Sequence, residues 1–450
     1  MTLQEAPMMP ATHPILGLFG EFQKDPLGLF EQSRQYGDVV RMRFANRTNF
    51  VLHHPEAIQQ VLVKQAKKFR KDDFIRNAFE PFIGNGLTIS EGDHWKRQRK
   101  LIAPAFHAQR IQNYADTMVE QTHNLIAEWQ QSPQRDIQED IVRLNTSIIG
   151  LTLFGEDVSN QSDYIREQLI ALNTLFTQRA QQINVPRWLP TPHNRALDQA
   201  VAAVDAIVVP LIEKRQLSGE DKGDLLSMLL LSETEDGQHM TPREVRDEAV
   251  TLFLAGNDTT SAALTWIFYL LSQHPDVVQK IREEVDTIAP DGRIRFEQLR
   301  QFAYLDSVIK EAQRIYPAAW GFSRECIEDA DIMGYKVPKK SIITLPIWAM
   351  HRHPHYWDEP EVFNPERFAN ADTIPKYTYF PFGGGARVCI GNSLATMQMQ
   401  LVVATVLQHV DIVQMVSDAP KPNPTLVLQP ATPLVLKVAE RQRQSDLIPS

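Results

Sequence analysis

Thr241-Pro242-Arg243-Glu244 opens a segment that keeps helical character to Gln273 and is apolar on nearly all sides between Ala249 and Leu271. Thr at the N-cap, Pro at the first helical position and an acid in the first turn are start signals for a helix. At ~1.5 Å per residue this helix spans roughly 45–50 Å, enough to cross a whole domain. A helix without a polar face must be wrapped by the rest of the chain. The segment therefore predicts a mainly α fold built around one central helix, and the remaining chain adds only small β-sheets.

The other elements fit that frame. Val39–Phe44 partly alternates and reads as a strand, with Phe50-Val51-Leu52 as its hairpin partner. His54-Pro55-Glu56 opens a helix running through Val63. The stretch Phe69–Ile89 mixes aromatics with glycines and charges and reads as a partly ordered loop. Residues 105–275 are mostly helical, interrupted at 182–194 by Pro186, Pro190 and Pro192. Helices follow at His274–Ile288 and Ala303–Tyr316, then strands around Ile332–Tyr335 and Ile342–Leu345. Residues 352–381 are irregular yet hydrophobic, and a helix from Ile390 to Val410 precedes a β-like tail. A long ordered coil of this kind usually serves function. There are no internal repeats, so 1–450 reads as one domain, with a β-rich part near 35–55 and 320–350.

Lys plus Arg number 46 against 55 Asp plus Glu, a net charge of −9, which argues against nucleic acid as the main partner. The two cysteines, Cys326 and Cys389, are far apart and suggest a reducing, cytoplasmic setting. Residues 1–20 hold three prolines and no long apolar run, so neither a signal peptide nor a membrane anchor is expected.

Cys389 closes the run Phe382-Gly383-Gly384-Gly385-Ala386-Arg387-Val388-Cys389-Ile390-Gly391. Glycines let a backbone wrap a sulfur closely, Arg387 offers a cation to an anionic group, and a helix starting here would favour the thiolate. A single Cys is often no more than a small buried hydrophobe. The central helix carries Ala255-Gly256-Asn257-Asp258-Thr259-Thr260, a small polar island that costs helix stability. It reads as a tolerated kink or as a bulge over a cofactor. Glu311 and Arg314 stand three apart, by themselves an i,i+3 ion pair worth about 0.3 kcal/mol. Trp95 and Arg99 share a helix face inside the basic run Trp95–Lys100, ordinarily a solvated surface.

Taken in order, these motifs resemble the cytochrome P-450 family from about Pro14 to Lys437. Phe382, Gly385, Arg387, Cys389 and Gly391 match its heme-thiolate loop, and Ala255–Thr260 its oxygen-activation motif. The resemblance implies that Cys389 ligates the iron of heme b (iron protoporphyrin IX), with Phe382 in the loop around it. Trp95, Arg99 and Arg387 would meet the heme propionates. Asp258 and Thr259 would be the catalytic proton-handling pair. Glu311 and Arg314, joined by Arg367 of Pro365-Glu366-Arg367-Phe368, would form a buried triad supporting the cysteine loop. The sequence departs from the family at Leu394, Ala395 and Gln398, where Phe-Ala-x-x-Glu is frequent, and at Lys340, a turn position usually held by Gly. Arg324 leaves the alignment of a third propionate arginine open.

The activity so implied is insertion of one oxygen atom from O2 into an apolar small molecule: a fatty acid, a terpenoid or a steroid-like compound. A peroxide-driven peroxygenase and a non-catalytic heme sensor or carrier are the alternatives, and the intact Asp258-Thr259 pair argues against both. Phe74, Phe79, Phe82, Leu87, Ala255, Ala319, Trp320 and Phe322 are the expected pocket residues, all apolar. The segment Val185–Pro192 and the Trp320 region are loosely similar to fatty-acid and terpenoid hydroxylases. Electrons would come to a monomer from a separate donor, a ferredoxin with its reductase or a flavodoxin. Lys96, Arg97 and Lys100 are expected to offer that donor a basic patch.

Overall fold

The computed structural model describes residues 3–156, 175, 188–415 and 418–441. The elements that build the site are β1 (Val39–Phe44), β2 (Arg47–Leu52), β3 (Phe69–Arg70), α1 (Asp73–Ile83), α2 (Gly92–Ile102), α3 (Ile137–Ile149), α4 (Pro242–Gln273), α5 (Ala303–Ile315), β4 (Phe322–Cys326), β5 (Ile342–Leu345) and α6 (Asn392–His409). Helix α4 is the 32-residue axis. A capping box closes its start: Glu244 N–H donates to Thr241 Oγ1 at 3.3 Å, and Thr241 N–H to Glu244 Oε2 at 2.7 Å. Leu264, Trp266, Ile267 and Phe268 are buried in succession, so the helix is surrounded along its C-terminal half. Helices α5 and α6 pack beside it in one large apolar cluster. None of the described helices is long and apolar enough to cross a membrane.

The sheet runs β1-β2-β5-β4-β3. All its pairs are antiparallel except β2 with β5, where Asn49–Val51 lie parallel to Ile342–Thr344. That parallel pair ties the N-terminal hairpin to the C-terminal half of the chain. Phe322 and Arg324, two apart on β4, therefore emerge on one face.

Two expectations are corrected. The stretch 69–89 is largely helix α1, not loop. Asp72 Oδ1 caps it by accepting from Phe74 N–H at 2.9 Å. Ile75, Ala78, Phe79, Phe82 and Ile83 recur at helical spacing, a period masked by Arg76, Glu80 and Pro81 between them. The expected strand Ile332–Tyr335 straddles a hairpin turn: Ala330–Ile332 pairs with Tyr335–Val337 across Met333 (φ 54) and Gly334 (φ 83). Of the proline-rich stretch 182–194, residues 182–187 lie outside the described residues, and Pro192 opens a helix running to Ser218. Lys340 adopts φ 71, the left-handed conformation that a glycine would take without strain.

Candidate active site

The cysteine loop is fixed by close approach as much as by hydrogen bonds. It turns through a 3-10 step at Gly385–Arg387, and Cys389 N–H donates to Phe382 O at 3.0 Å. Gly385 has φ +66, and a Cβ there would lie 2.1 Å from Leu62 O, so only glycine lets the loop rest on the 60–64 turn. Helix α6 begins just beyond, at Asn392. Burial pushes the Cys389 thiol up, against the opposing pull of the Gly391 and Asn392 N–H groups and the Arg99 charge. Iron coordination would deprotonate such a thiol outright.

A charge cluster holds the coil that leads to this loop. Glu311 and Arg314 are fully buried, joined by two bonds of 2.7 and 2.9 Å. Arg314 also donates to His351 O at 2.9 Å and Pro360 O at 2.7 Å. Arg367 Nε stands 3.4 Å from Glu311 Oε1. Glu311 further accepts from Asn364 N–H at 3.0 Å. The structure thus brings the three residues of the triad together and pins the irregular coil that leads to the cysteine.

A cavity of about 430 Å³ opens over Cys389. At one rim Arg387 stacks over Trp95, its guanidinium carbon 4.2 Å from the ring centroid. Arg387 donates to Ser90 O at 2.9 Å and to Glu91 Oε2 at 2.5 Å. Arg99 donates to Val388 O at 2.9 Å. Arg324 lines the same cavity with its guanidinium over the Phe322 ring. Burial, with Arg387 adding repulsion, lowers Arg324 to about 10. Lys71, a residue that sequence reasoning missed, also lines the cavity. Burial and the neighbouring Arg324 and Arg387 hold its ammonium well below the usual lysine range. Glu91 is the one carboxylate whose charge acts on Lys71, Arg324 and Arg387 among the described residues. Such an excess of half-buried cations suits a ligand with two carboxylates.

Helix α4 supplies another part of the wall. Thr259 Oγ1 donates to Ala255 O at 2.7 Å, and both residues line the cavity. Asp258, beside Thr259, has its carboxyl pushed up to about 7 by burial. Asn257 faces away into a buried amide network. Asn145 of α3 donates to Asn257 O at 2.7 Å, to Gly256 O at 3.2 Å and to Ser261 Oγ at 3.0 Å. It accepts from Gln398 of α6 at 2.6 Å. Gln398, at the position where an acid was expected, therefore joins the cysteine's helix to the polar island of α4 through neutral groups.

Of the expected pocket residues, Leu87, Ala255, Ala319 and Phe322 line the cavity, as do Phe382, Trp95, Arg99, Arg387 and Cys389. Phe74, Phe79 and Phe82 belong to α1 and are not among the lining residues. Phe82 is buried in a core cluster, Phe79 packs against that cluster, and Phe74 is half-buried in the first turn. Trp320 is a correction too: its ring stacks near Phe30 at 6.2 Å and its Nε1 donates to Thr425 O at 2.9 Å. Ala318 and Ala319, in the irregular chain before β4, both line the cavity, while the Trp320 ring packs on the other side against Phe30 and Phe22.

A cysteine presented by a glycine loop, cations at the rim and a threonine of the central helix, all on one cavity, define the class of heme-thiolate proteins. A single protein sulfur is a sufficient anchor for iron only when a macrocycle brings the other ligands, and these residues fit such a group. The cytochrome P450 family model matches residues 7–438, and the chain belongs to that family. It is 32% identical over 402 residues to cyclooctat-9-en-7-ol 5-monooxygenase of Streptomyces melanosporofaciens, covering 88% of this chain and 87% of that one. Pentalenene oxygenase of Streptomyces avermitilis is 30% identical over 406 residues, with 89% and 90% covered. Cytochrome P450 3A6 of Oryctolagus cuniculus is 30% identical over 464 residues, with 96% and 91% covered. The protein is a cytochrome P450 monooxygenase with a heme-iron cofactor.

Proposed function

We propose that this monooxygenase inserts one oxygen atom from O2 into a terpenoid, with fatty acids and steroid-like molecules as the other apolar candidates. The observation that carries the reading is the convergence of the Cys389 thiol, the cationic rim and Thr259 on one cavity whose remaining wall is largely apolar. The two bacterial relatives, whose names give cyclooctat-9-en-7-ol and pentalenene as substrates, support the terpenoid class.

The cofactor in this reading is heme b. Cys389 would hold its iron, and Trp95, Arg99 and Arg387, together with Lys71 and Arg324, would meet the propionates. Thiolate-held heme iron supplies the activation of dioxygen that the transfer requires. The chain's own residues manage the protons and exclude water. Thr259, its hydroxyl hydrogen committed to Ala255 O, presents oxygen lone pairs to the cavity as an acceptor. Asp258 is set near neutrality by burial, so its carboxyl can both release and regain a proton at working pH. Leu87, Ala255, Ala319 and Phe322 give the substrate an apolar wall. The chain works as one cytoplasmic, monomeric domain, and its electrons come from a ferredoxin with its reductase or from a flavodoxin.

The test is spectroscopic. The ferrous–CO form should show the strongly red-shifted Soret band of thiolate ligation, and Cys389→Ala should lose it. Terpenes should displace the iron's water ligand, seen as a Soret shift, at lower concentration than fatty acids or steroids. A histidine-like CO spectrum in folded protein would refute the ligation. A preference for fatty acids or steroids would refute the terpenoid class.

A further inference from the structure

One stretch of the cavity wall is held in a way that the reaction itself does not explain. Residues 84–88 cross the N-terminal half of α4 and contribute Leu87 and Thr88 to the cavity. Consecutive side chains of α4 grip the backbone of this crossing. Arg246 donates to Phe82 O at 2.8 Å. Asp247 Oδ2 accepts from Asn85 N–H at 3.0 Å. Glu248 Oε2 accepts from Leu87 N–H at 2.9 Å, and Glu248 is 1% exposed.

The contact leaves no room for side chains between the two backbones. A Cβ on Gly86 would lie 2.0 Å from Thr251 Oγ1 and 2.9 Å from Asp247 O. One on Gly84 would lie 2.0 Å from an Asp247 carboxylate oxygen. Thr251 is itself tied to Asp247 O at 2.6 Å and lines the cavity, so the close approach reaches the chamber directly. Burying a carboxylate costs free energy, and burial here raises the Glu248 carboxyl to about 8. A leucine or methionine would pack the same space without that cost, but neither can accept the Leu87 N–H.

We infer that Glu248 is a positioning residue for substrate selection: by holding the Leu87 N–H it fixes the 84–88 segment against α4 and so sets how far Leu87 projects into the chamber. The segment is thereby a fixed wall and not a gate. The inference rests on the cavity being the substrate chamber. Glu248 touches no substrate and acts through Leu87.

Two measurements on the heme-loaded full chain test it. The first is hydrogen exchange at the Leu87 amide, which does not depend on the iron. It should be slow in the unaltered protein and in Glu248→Gln, whose amide oxygen can accept the same bond. It should be about tenfold faster in Glu248→Ala, because the Leu87 N–H is left without its buried acceptor. Fast exchange at Leu87 in the unaltered protein would overturn the inference without any variant. The second is the ratio of 4-phenylimidazole to imidazole affinity for the iron, a probe of space above it. Glu248→Ala and Gly86→Ala should each shift this ratio several-fold, roughly what a displaced apolar contact is worth, while Glu248→Gln should not. An unchanged ratio in both would overturn it. If Glu248→Ala does not fold, Gly86→Ala and the exchange of the unaltered protein decide. Failure of every form to bind either azole, with Leu87 still protected, would count against the heme reading and leave the clamp supported by exchange.

Discussion

Glu311 and Asp258 are two carboxylates that the protein treats in opposite ways. Glu311 is met by Arg314, Arg367 and the Asn364 N–H. Asp258, on α4, has burial as the sole cause of its shift, with no cation acting on it among the described residues. The Glu311 cluster uses charge for architecture: its side chains pair with one another and hold main-chain carbonyls and an N–H of the irregular coil. The central helix leaves one acid without a counter-ion among the described residues, at a cost in stability, and gains a carboxyl whose protonation changes near neutral pH.

The hardest way to break that contrast is to remove Glu311. Its loss strands Arg314 without a counter-ion in a site fully closed to solvent. Breaking such a buried cluster costs about 3–5 kcal/mol. Glu311→Ala should therefore give little heme-loaded protein, while Glu311→Gln, which keeps hydrogen-bond acceptance, should recover part of it. Heme content per chain and the melting temperature measure this. A fully loaded Glu311→Ala protein would show that the cluster is not what holds the loop.

Asp258→Asn sharpens the other half of the contrast. Its carboxyl shifts from an ordinary 3.8 to about 7. The folded state thus holds the proton more tightly than the unfolded one. Below about pH 4 the group is protonated in both states and costs nothing. As pH rises towards 7 the unfolded chain ionises first, so stability falls, and the full cost is present above 7. Asp258→Asn should accordingly gain stability relative to the parent at pH 8 and not at pH 4. Turnover should fall about a hundredfold, the ordinary size of a lost proton-transfer group. The parent's rate should decline as pH rises through about 7, and that decline should vanish in the variant. A variant with unchanged rate and the parent's pH profile would remove Asp258 from the proton path.

How much of this was legible beforehand depended on whether a residue falls in a motif or takes its role from the tertiary fold. The cysteine loop, Glu311-x-x-Arg314 and Asp258-Thr259 were read through their resemblance to a family's motifs; their spacing alone left each with a plainer meaning, a small buried thiol, a surface ion pair and a tolerated kink. The aromatics of 74–82 were misplaced because a helix with charges and a proline between its apolar positions reads as irregular chain, and its faces then cannot be assigned. Trp320 was misplaced because the irregular chain at 317–321 has no alternation from which a side could be assigned, and Ala318 and Ala319 both line the cavity. Arg324, two residues from Phe322 on β4, lines the cavity with it. Lys71 was missed because Arg70-Lys71-Asp72-Asp73 looks like a solvated turn. Only the tertiary fold shows that Arg70 pairs with Asp73 and Glu325, leaving Lys71 to face the cavity. The backbone grip of Arg246, Asp247 and Glu248 had no sequence signal at all, since its partners are main-chain atoms more than 160 residues away.

The smallest expected effect concerns the basic run on α2. As a sequence it suggests a patch free to attract an acidic electron donor to a protein of net charge −9. In the structure each cation has a local acid: Lys96 pairs with Asp93 at 2.7 Å, Arg97 with Glu244 at 2.7 Å and Lys100 with Glu235 at 2.5 Å. Three pairs of opposite sign leave little field beyond a Debye length of about 8–10 Å. Exposed pairs of this kind are also worth at most about 1 kcal/mol. Lys96→Gln combined with Lys100→Gln should therefore leave the melting temperature nearly unchanged. It should slow reduction by ferredoxin by no more than about threefold, a modest loss beside the 10–10³ that strong steering confers. Stopped-flow reduction across a range of ionic strength measures it. A loss of tenfold or more at low salt that shrinks with added salt and is absent with dithionite would mean that these lysines leave their acids to meet the partner, and that the helix is a docking surface after all.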